Sequence, residues 1–235
     1  MTAKRVQIIF GVGDWQECDQ SAECSRGDLG ALLAAEAAGG FKGTFLNMMG
    51  NHDCASGYDA AECPLENETE NVSQYMQMVL APVGKSHSYF DLNVETSKGK
   101  AHFIVASPSA WSDNQQSWLN GVSAQPADYT FYLQHQPQAD PTCPGAKPAY
   151  DTMKAANPNT TLYMYGHVHE YKHYAGINEF IIGNGGAPSP PWYGYAIVEQ
   201  LSNGNIQVTV YQATGTGNDP QMDQWTVTPQ GSLVQ

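Results

Sequence analysis

Four times along this chain a short apolar run stops at a residue that can donate electrons to a cation. Residues 6–12 (VQIIFGV) lead to Asp14, and residues 44–49 (TFLNMM) lead to Asn51. Residues 128–134 (DYTFYLQ) lead to His135, and residues 161–165 (TLYMY) lead to His167 and His169. Runs of this length, rich in β-branched and aromatic residues and closed by glycine or a polar residue, read as buried strands. A chain that carries its reactive side chains at strand ends is restricted to sheet architectures whose carboxyl edge is the working edge.

The segments between these runs complete the pattern. Residues 25–38 are rich in Ala and Leu, with Ser25 as the cap and Gly39-Gly40 as the stop, and predict a helix. Residues 88–94 and 101–107 flank Lys98-Gly99-Lys100 and predict a hairpin. Helices are expected at 114–122, with Trp118 and Leu119 facing inward, and at 148–156. Further strands are expected at 179–182, 193–200 and 206–211, and a polar, acidic surface loop at 54–71. This order predicts one layered α/β domain over residues 1–235, with two sheets packed between helices.

Composition excludes some functions. The net charge is −13 and the ten Lys and Arg residues form no stripe, which argues against a nucleic-acid-binding surface. No apolar run reaches the length of a membrane span. Only 14% of residues are charged, so the polar surface is built largely from uncharged side chains. Of the five cysteines, Cys18 with Cys24 and Cys54 with Cys63 could each close a short loop, leaving Cys143 single. Five reduced thiols is the competing reading. Glycosylation sequons stand at Asn67, Asn71 and Asn159. Together these features lean towards a secreted or extracytoplasmic protein, although residues 1–5 run directly into the first strand with no signal peptide.

One carboxylate, one amide oxygen and three imidazoles form a mixed nitrogen and oxygen donor set. Such a set suits iron, zinc or manganese, and the lack of thiolates argues against a soft-metal site. A carboxylate can also bridge two ions, and ions about 3.5–4 Å apart are a recurrent device for phosphoester hydrolysis. Gly13, Gly50 and Gly166 each immediately precede a donor, where a strand must turn sharply and glycine tolerates the backbone angles.

Gly50-Asn51-His52-Asp53 and Gly166-His167-Val168-His169 resemble two signature motifs of the calcineurin-like metallophosphoesterase superfamily. Gly13-Asp14-Trp15 resembles its GD motif, and Leu133-Gln134-His135-Gln136-Pro137 its His-ending strand. Residues 181–186 (IIGNGG) resemble the glycine-rich turn of the purple-acid-phosphatase branch, and Gln115 to Leu119 its QxxWL helix. The resemblance spans roughly residues 6–211. It implies a four-layer α-β-β-α sandwich of two mixed sheets and a two-metal centre acting on a small phosphoester, through a metal-activated water. Asp14 would bridge the ions, Asn51, His135 and His167 would complete one set, and His169 would bind the other ion. His52 would contact the phosphate and protonate the leaving group, with Asp53 orienting it.

The pattern departs from the family at one point. A first motif of the DxH kind, which supplies the remaining ligands of the first metal, has no counterpart here, so the chain reads as N-terminally truncated relative to the family. Reading Gly13-Asp14-Trp15 as the first motif would make Gly27-Asp28 the second, but no strand precedes Gly27 to present that carboxylate. The expected function is hydrolysis of phosphomonoesters in an acid-phosphatase-like manner. The alternatives are a phosphodiesterase, a single-metal hydrolase, or a metal-binding remnant with impaired catalysis. His87, His102 and His173 are expected to be structural or surface residues. Core packing is likewise expected for Trp15, Trp192 and Tyr193, and solvent exposure for Glu17, Asp19 and Glu23.

Overall fold

A computed structural model describes residues 6–16, 21–54, 70–186 and 192–234. Strands β1 (Ile8–Gly11) and β2 (Thr44–Asn47) form a parallel pair. A six-stranded mixed sheet contains β3 (Phe90–Thr96), β4 (Gly99–Val105), β5 (Tyr129–Gln134), β6 (Leu162–Tyr165), β7 (Tyr171–His173) and β8 (Glu179–Ile182). Its order is β3-β4-β5-β6-β8-β7, parallel through the centre and antiparallel at both edges. A third, antiparallel sheet joins β9 (Tyr193–Gln200), β10 (Ile206–Ala213) and β11 (Gln221–Val227). The helices are α1 (Ala22–Ala38), α2 (Glu70–Tyr75), α3 (Asp113–Ser123) and α4 (Ala146–Ala156).

Alternation along the central strands sorts the side chains into two cores, as the two-residue repeat of a strand requires. Ile104, Tyr132, Tyr163 and Ile181 turn to one face and meet Leu119 and Val122 of α3 and Tyr150 and Met153 of α4. Val105, Phe131, Leu133, Leu162, Met164 and Phe180 turn to the other face. There they meet Leu46 of β2, Val208 and Val210 of β10, Leu29 of α1, and Val72 and Tyr75 of α2. The rings of Phe10, Phe103 and Phe131 bridge β1 to the large sheet, with centroids 5.1 and 4.7 Å apart in succession. Full burial of such side chains is worth about 1.5–3 kcal/mol each. The result is an α-β-β-α sandwich in which β1-β2 and β9-β10-β11 together occupy the layer opposite the large sheet.

Local differences from the sequence reading have identifiable causes. The cap of α1 is Ser21, whose Oγ accepts from Cys24 N at 3.1 Å. Ser25 lies inside the helix, buried, and its hydroxyl donates to Gln16 Oε1. Asn71 is not on a surface loop. It sits on α2, fully buried, and its amide donates to the His52 carbonyl at 3.1 Å, which leaves no room for a glycan there. Asn159 is exposed, and Asn67 lies outside the described residues. Cys24 and Cys54 are disulfide-bonded, Cys143 is a buried thiol, and Cys18 and Cys63 lie outside the described residues. Among the described residues no helix is long and apolar enough to cross a membrane.

Candidate metal centre

Two pairs of adjacent parallel strands bring the candidate donors together. Gly11 of β1 pairs with Asn47 of β2, so the turns carrying Asp14 and Asn51 leave the sheet side by side. Gln134 of β5 pairs with Tyr165 of β6, which aligns His135 with the turn carrying His167. Parallel neighbours end at the same edge, so all four donors converge without any being close in sequence. Asp14 Oδ2 lies 2.9 Å from His135 Nε2. Asn51 Oδ1 lies 2.9 Å from His167 Nδ1. Asp14, His135 and His167 each offer a donor atom within 4.8 Å of the others.

The glycines that precede the donors are required mainly by space. Gly13 alone of the three has a positive φ, 98°, and a Cβ there would strike the His135 ring. At Gly50 a Cβ would fall on the Asp14 carboxylate, and at Gly166 on the Val12 carbonyl. The sharp-turn explanation therefore holds at Gly13, while close approach of neighbouring groups explains Gly50 and Gly166. The strained conformation falls on the donors themselves: Asp14 and His167 sit at φ 61° and 63°. Non-glycine residues adopt this region rarely and at a cost, and they concentrate at working sites.

Asp53 is fully buried, and its carboxylate ties the two donor-bearing turns together. Oδ2 accepts from Asp14 N at 2.9 Å and from Gly50 N at 2.8 Å. Oδ1 accepts from Trp15 N at 2.8 Å and from Gln16 Nε2 at 3.5 Å. These contacts run to the turns and not to the ring of His52, the partner that the family resemblance implies. Burial and the adjacent Asp14 charge push the Asp53 carboxyl up to about 7, against the pull of the Gly50 and Trp15 N–H groups.

The neighbouring charges are balanced differently. Burial alone would raise the Asp14 carboxyl, but the charge and hydrogen bond of His135 and the His52 N–H hold it well below the usual carboxylate range. Burial lowers His135, yet Asp14 and the Val12 carbonyl raise it above the ordinary histidine value. Burial and repulsion from His135 lower His167.

The donor chemistry fits a cation. A carbonyl oxygen can only accept, so the 2.5 Å contact of His135 Nδ1 with Val12 O requires the proton on Nδ1. A neutral His135 then turns the lone pair of Nε2 towards the Asp14 carboxylate. His167 Nδ1 lies 2.9 Å from the Asn51 amide oxygen, which also can only accept, so without a metal ion this nitrogen carries a proton. Two imidazole nitrogens, a carboxylate and an amide oxygen thus meet at one place, an arrangement satisfied by protons on the rings or by a metal ion that displaces them.

Not every predicted residue joins this group. His169 is exposed and lies outside the cluster formed by Asp14, His135 and His167. His52 is half-buried, and its backbone N–H donates to Asp14 Oδ1 at 3.0 Å. Gly27 and Asp28 fall inside helix α1 and not at the end of a strand. His102 is a buried structural residue, its Nε2 2.9 Å from Asp91 Oδ2, and His173 stacks on Trp225 at 3.9 Å. Trp15 packs against the core and donates from Nε1 to Met48 O at 3.2 Å. Trp192 packs against the same core, whereas Tyr193 is half exposed. Glu23 is exposed, and Glu17 and Asp19 lie outside the described residues.

Sequence reasoning missed Asp140. Its Oδ2 lies 2.7 Å from His167 Nε2, and its side chain is 8% exposed. The signal available in the sequence was a carboxylate between Pro137 and Pro141 in the loop after His135, which suggests a turn and nothing more.

No protein-family model matches the chain, and no curated protein matches it. Its fold is similar to that of a dimetal phosphatase from Danio rerio, with a TM-score of 0.58 at 13% identity. That match covers 96% of this chain and 84% of the other. A candidate 5′-nucleotidase from Staphylococcus aureus matches at 11% identity and a TM-score of 0.45, over 94% of this chain and 44% of the other.

Proposed function

We propose that this chain hydrolyses small phosphoesters at a metal centre held by Asp14, Asn51, His135 and His167. The observation that carries the reading is the convergence of four metal-ligating side chains from four separate turns at the carboxyl ends of strands in two packed sheets. The likeness in fold to a dimetal phosphatase agrees with it. A transition-metal ion (iron, zinc or manganese) held there supplies Lewis acidity, polarising the phosphoryl group and lowering the pKa of water.

The protein's own groups do the rest. Asp14 presents Oδ2 to the centre while its Oδ1 is held by the His52 N–H. Asp53 fixes the separation of the Asp14 and Asn51 turns through its backbone contacts. In this reading His52, next to Asn51, binds the phosphate and gives its ring proton to the departing oxygen. Asp14 and His169 serve a second ion if one is bound. The glycine-rich turn after His169 favours an acid-phosphatase-like monoesterase over a phosphodiesterase, and the oxidised Cys24 and Cys54 favour an extracytoplasmic site of action.

A second reading is a single-ion hydrolase, favoured by the exposure of His169 and its separation from the cluster. Turnover of p-nitrophenyl phosphate and of bis-p-nitrophenyl phosphate, measured with Zn(II), Mn(II) or Fe(II), tests the function and its subtype. Asn51→Ala and His167→Ala are expected to lower turnover by about 100-fold or more, since removing ligands costs more than removing their supports. His173→Ala is expected to leave it unchanged. Equal losses in all three variants would sink the site assignment.

A further inference from the structure

Both backbone groups of His52 are held by side chains that lie far from it in sequence. Its N–H donates to Asp14 Oδ1 at 3.0 Å, and its carbonyl accepts from Asn71 Nδ2 at 3.1 Å. The side chain itself is only half-buried. Fixing the peptide groups on both sides of a Cα fixes its Cβ, and the ring is then reached through a few staggered rotamers.

Asn71 is in turn held from behind. It is fully buried on α2, and its carbonyl accepts from Gln16 Nε2 at 3.4 Å. Gln16 is also fully buried, and its Oε1 accepts from the hydroxyl of the buried Ser25 on α1. A chain of polar contacts therefore runs from Ser25 through Gln16 and Asn71 to His52. The carbonyl of a half-buried turn can be satisfied by water. Here the donor comes instead from a helix 19 residues away, so α2 sets the place of this turn as well as the turn's own sequence.

We infer that Asn71 is a positioning residue for His52: by holding the His52 carbonyl from α2 it keeps the ring placed to give its proton to the departing oxygen. This rests on the hydrolase reading above, in which His52 is that proton donor. Proton transfer from a placed side chain contributes about 100- to 10,000-fold to rate, and a small displacement forfeits much of it.

The test uses the full chain with Zn(II) and two substrates that differ in their need for a proton. p-Nitrophenolate leaves as a stable anion, whereas the alcohol of glycerol 2-phosphate must be protonated as it departs. Asn71→Ala is expected to lower kcat by about 10- to 100-fold for glycerol 2-phosphate and by about 3-fold or less for p-nitrophenyl phosphate. Asn71→Ser, which keeps a hydroxyl donor on a shorter arm, is expected to fall between the wild type and Asn71→Ala, with circular dichroism checking the fold of each. In a His52→Ala background, Asn71→Ala is expected to leave the ratio of the two rates unchanged, because it has no ring left to position. In the metal-free proteins, ¹H–¹³C spectra are expected to show the His52 ring signal shifted by Asn71→Ala while that of His173 stays in place. Equal losses on both substrates, a change of ratio that persists in the His52→Ala background, or an unmoved His52 signal would overturn the inference. A wild type whose His52 signal depends on Asn71 but which hydrolyses neither substrate would instead overturn the hydrolase reading, and the inference with it.

Discussion

Asp14 and His167 share an unusual backbone state: among the described residues they are the two non-glycine positions at positive φ, 61° and 63°. Each stands in the turn that follows a strand, and each turns its side chain into the donor cluster. A left-handed residue with a Cβ costs about 1–2 kcal/mol.

That strain can be measured at His167. Both His167→Gly and His167→Ala remove the imidazole, but only glycine relaxes the backbone. His167→Gly is expected to be more stable than His167→Ala by about 1 kcal/mol in urea denaturation. Equal stability of the two variants would show that the conformation is not strained.

Asp53 links stability to pH in the metal-free protein. Its carboxyl is pushed up to about 7 by burial and by Asp14, from an ordinary value of 3.8. A group whose folded pKa is raised contributes stability that is present below the unfolded value and lost as pH rises through the folded one. Chelated wild type is therefore expected to lose stability between about pH 4 and pH 7 through this group. Asp53→Asn removes the titration, so its denaturation midpoint is expected to change less across that window. An identical pH profile in both proteins would contradict the assignment.

Close approach makes Gly50 a second critical point. A methyl group at this position would fall on the Asp14 carboxylate, so Gly50→Ala is expected to displace Asp14 and remove metal binding while the sandwich stays folded. Circular dichroism checks the fold, and Zn(II) titration checks the binding. Retained affinity would show that the turn can yield.

Much of this architecture was legible in the sequence because buried strands carry a strong apolar signal. The strands at Glu179–Ile182 and Tyr193–Gln200 fall where the pattern puts them. β7 has only three residues, too few for a period, and β11 (QMDQWTV) is a polar edge strand without a clean alternation, so neither stands out. Helix α2 opens with Glu70-Asn71, which reads as loop, yet Asn71 is buried to hold the His52 carbonyl. Donor identities were visible because they stand at strand ends. The supports were not, since Asp140 meets His167 and Asp53 meets Asp14 only through the folded sheet edge. For the same reason the contacts of Asp53 with the backbone of both turns could not be read from its place beside His52.

The central claim is that Asp14, Asn51, His135 and His167 hold a metal ion, and elemental mass spectrometry of the purified chain tests it most directly. After incubation with Zn(II), Mn(II) or Fe(II) and removal of excess ion, at least one metal per wild-type chain is expected, with a marked loss in Asn51→Ala. A wild type that retains no metal, or an Asn51→Ala chain that retains as much as the wild type, would contradict the account.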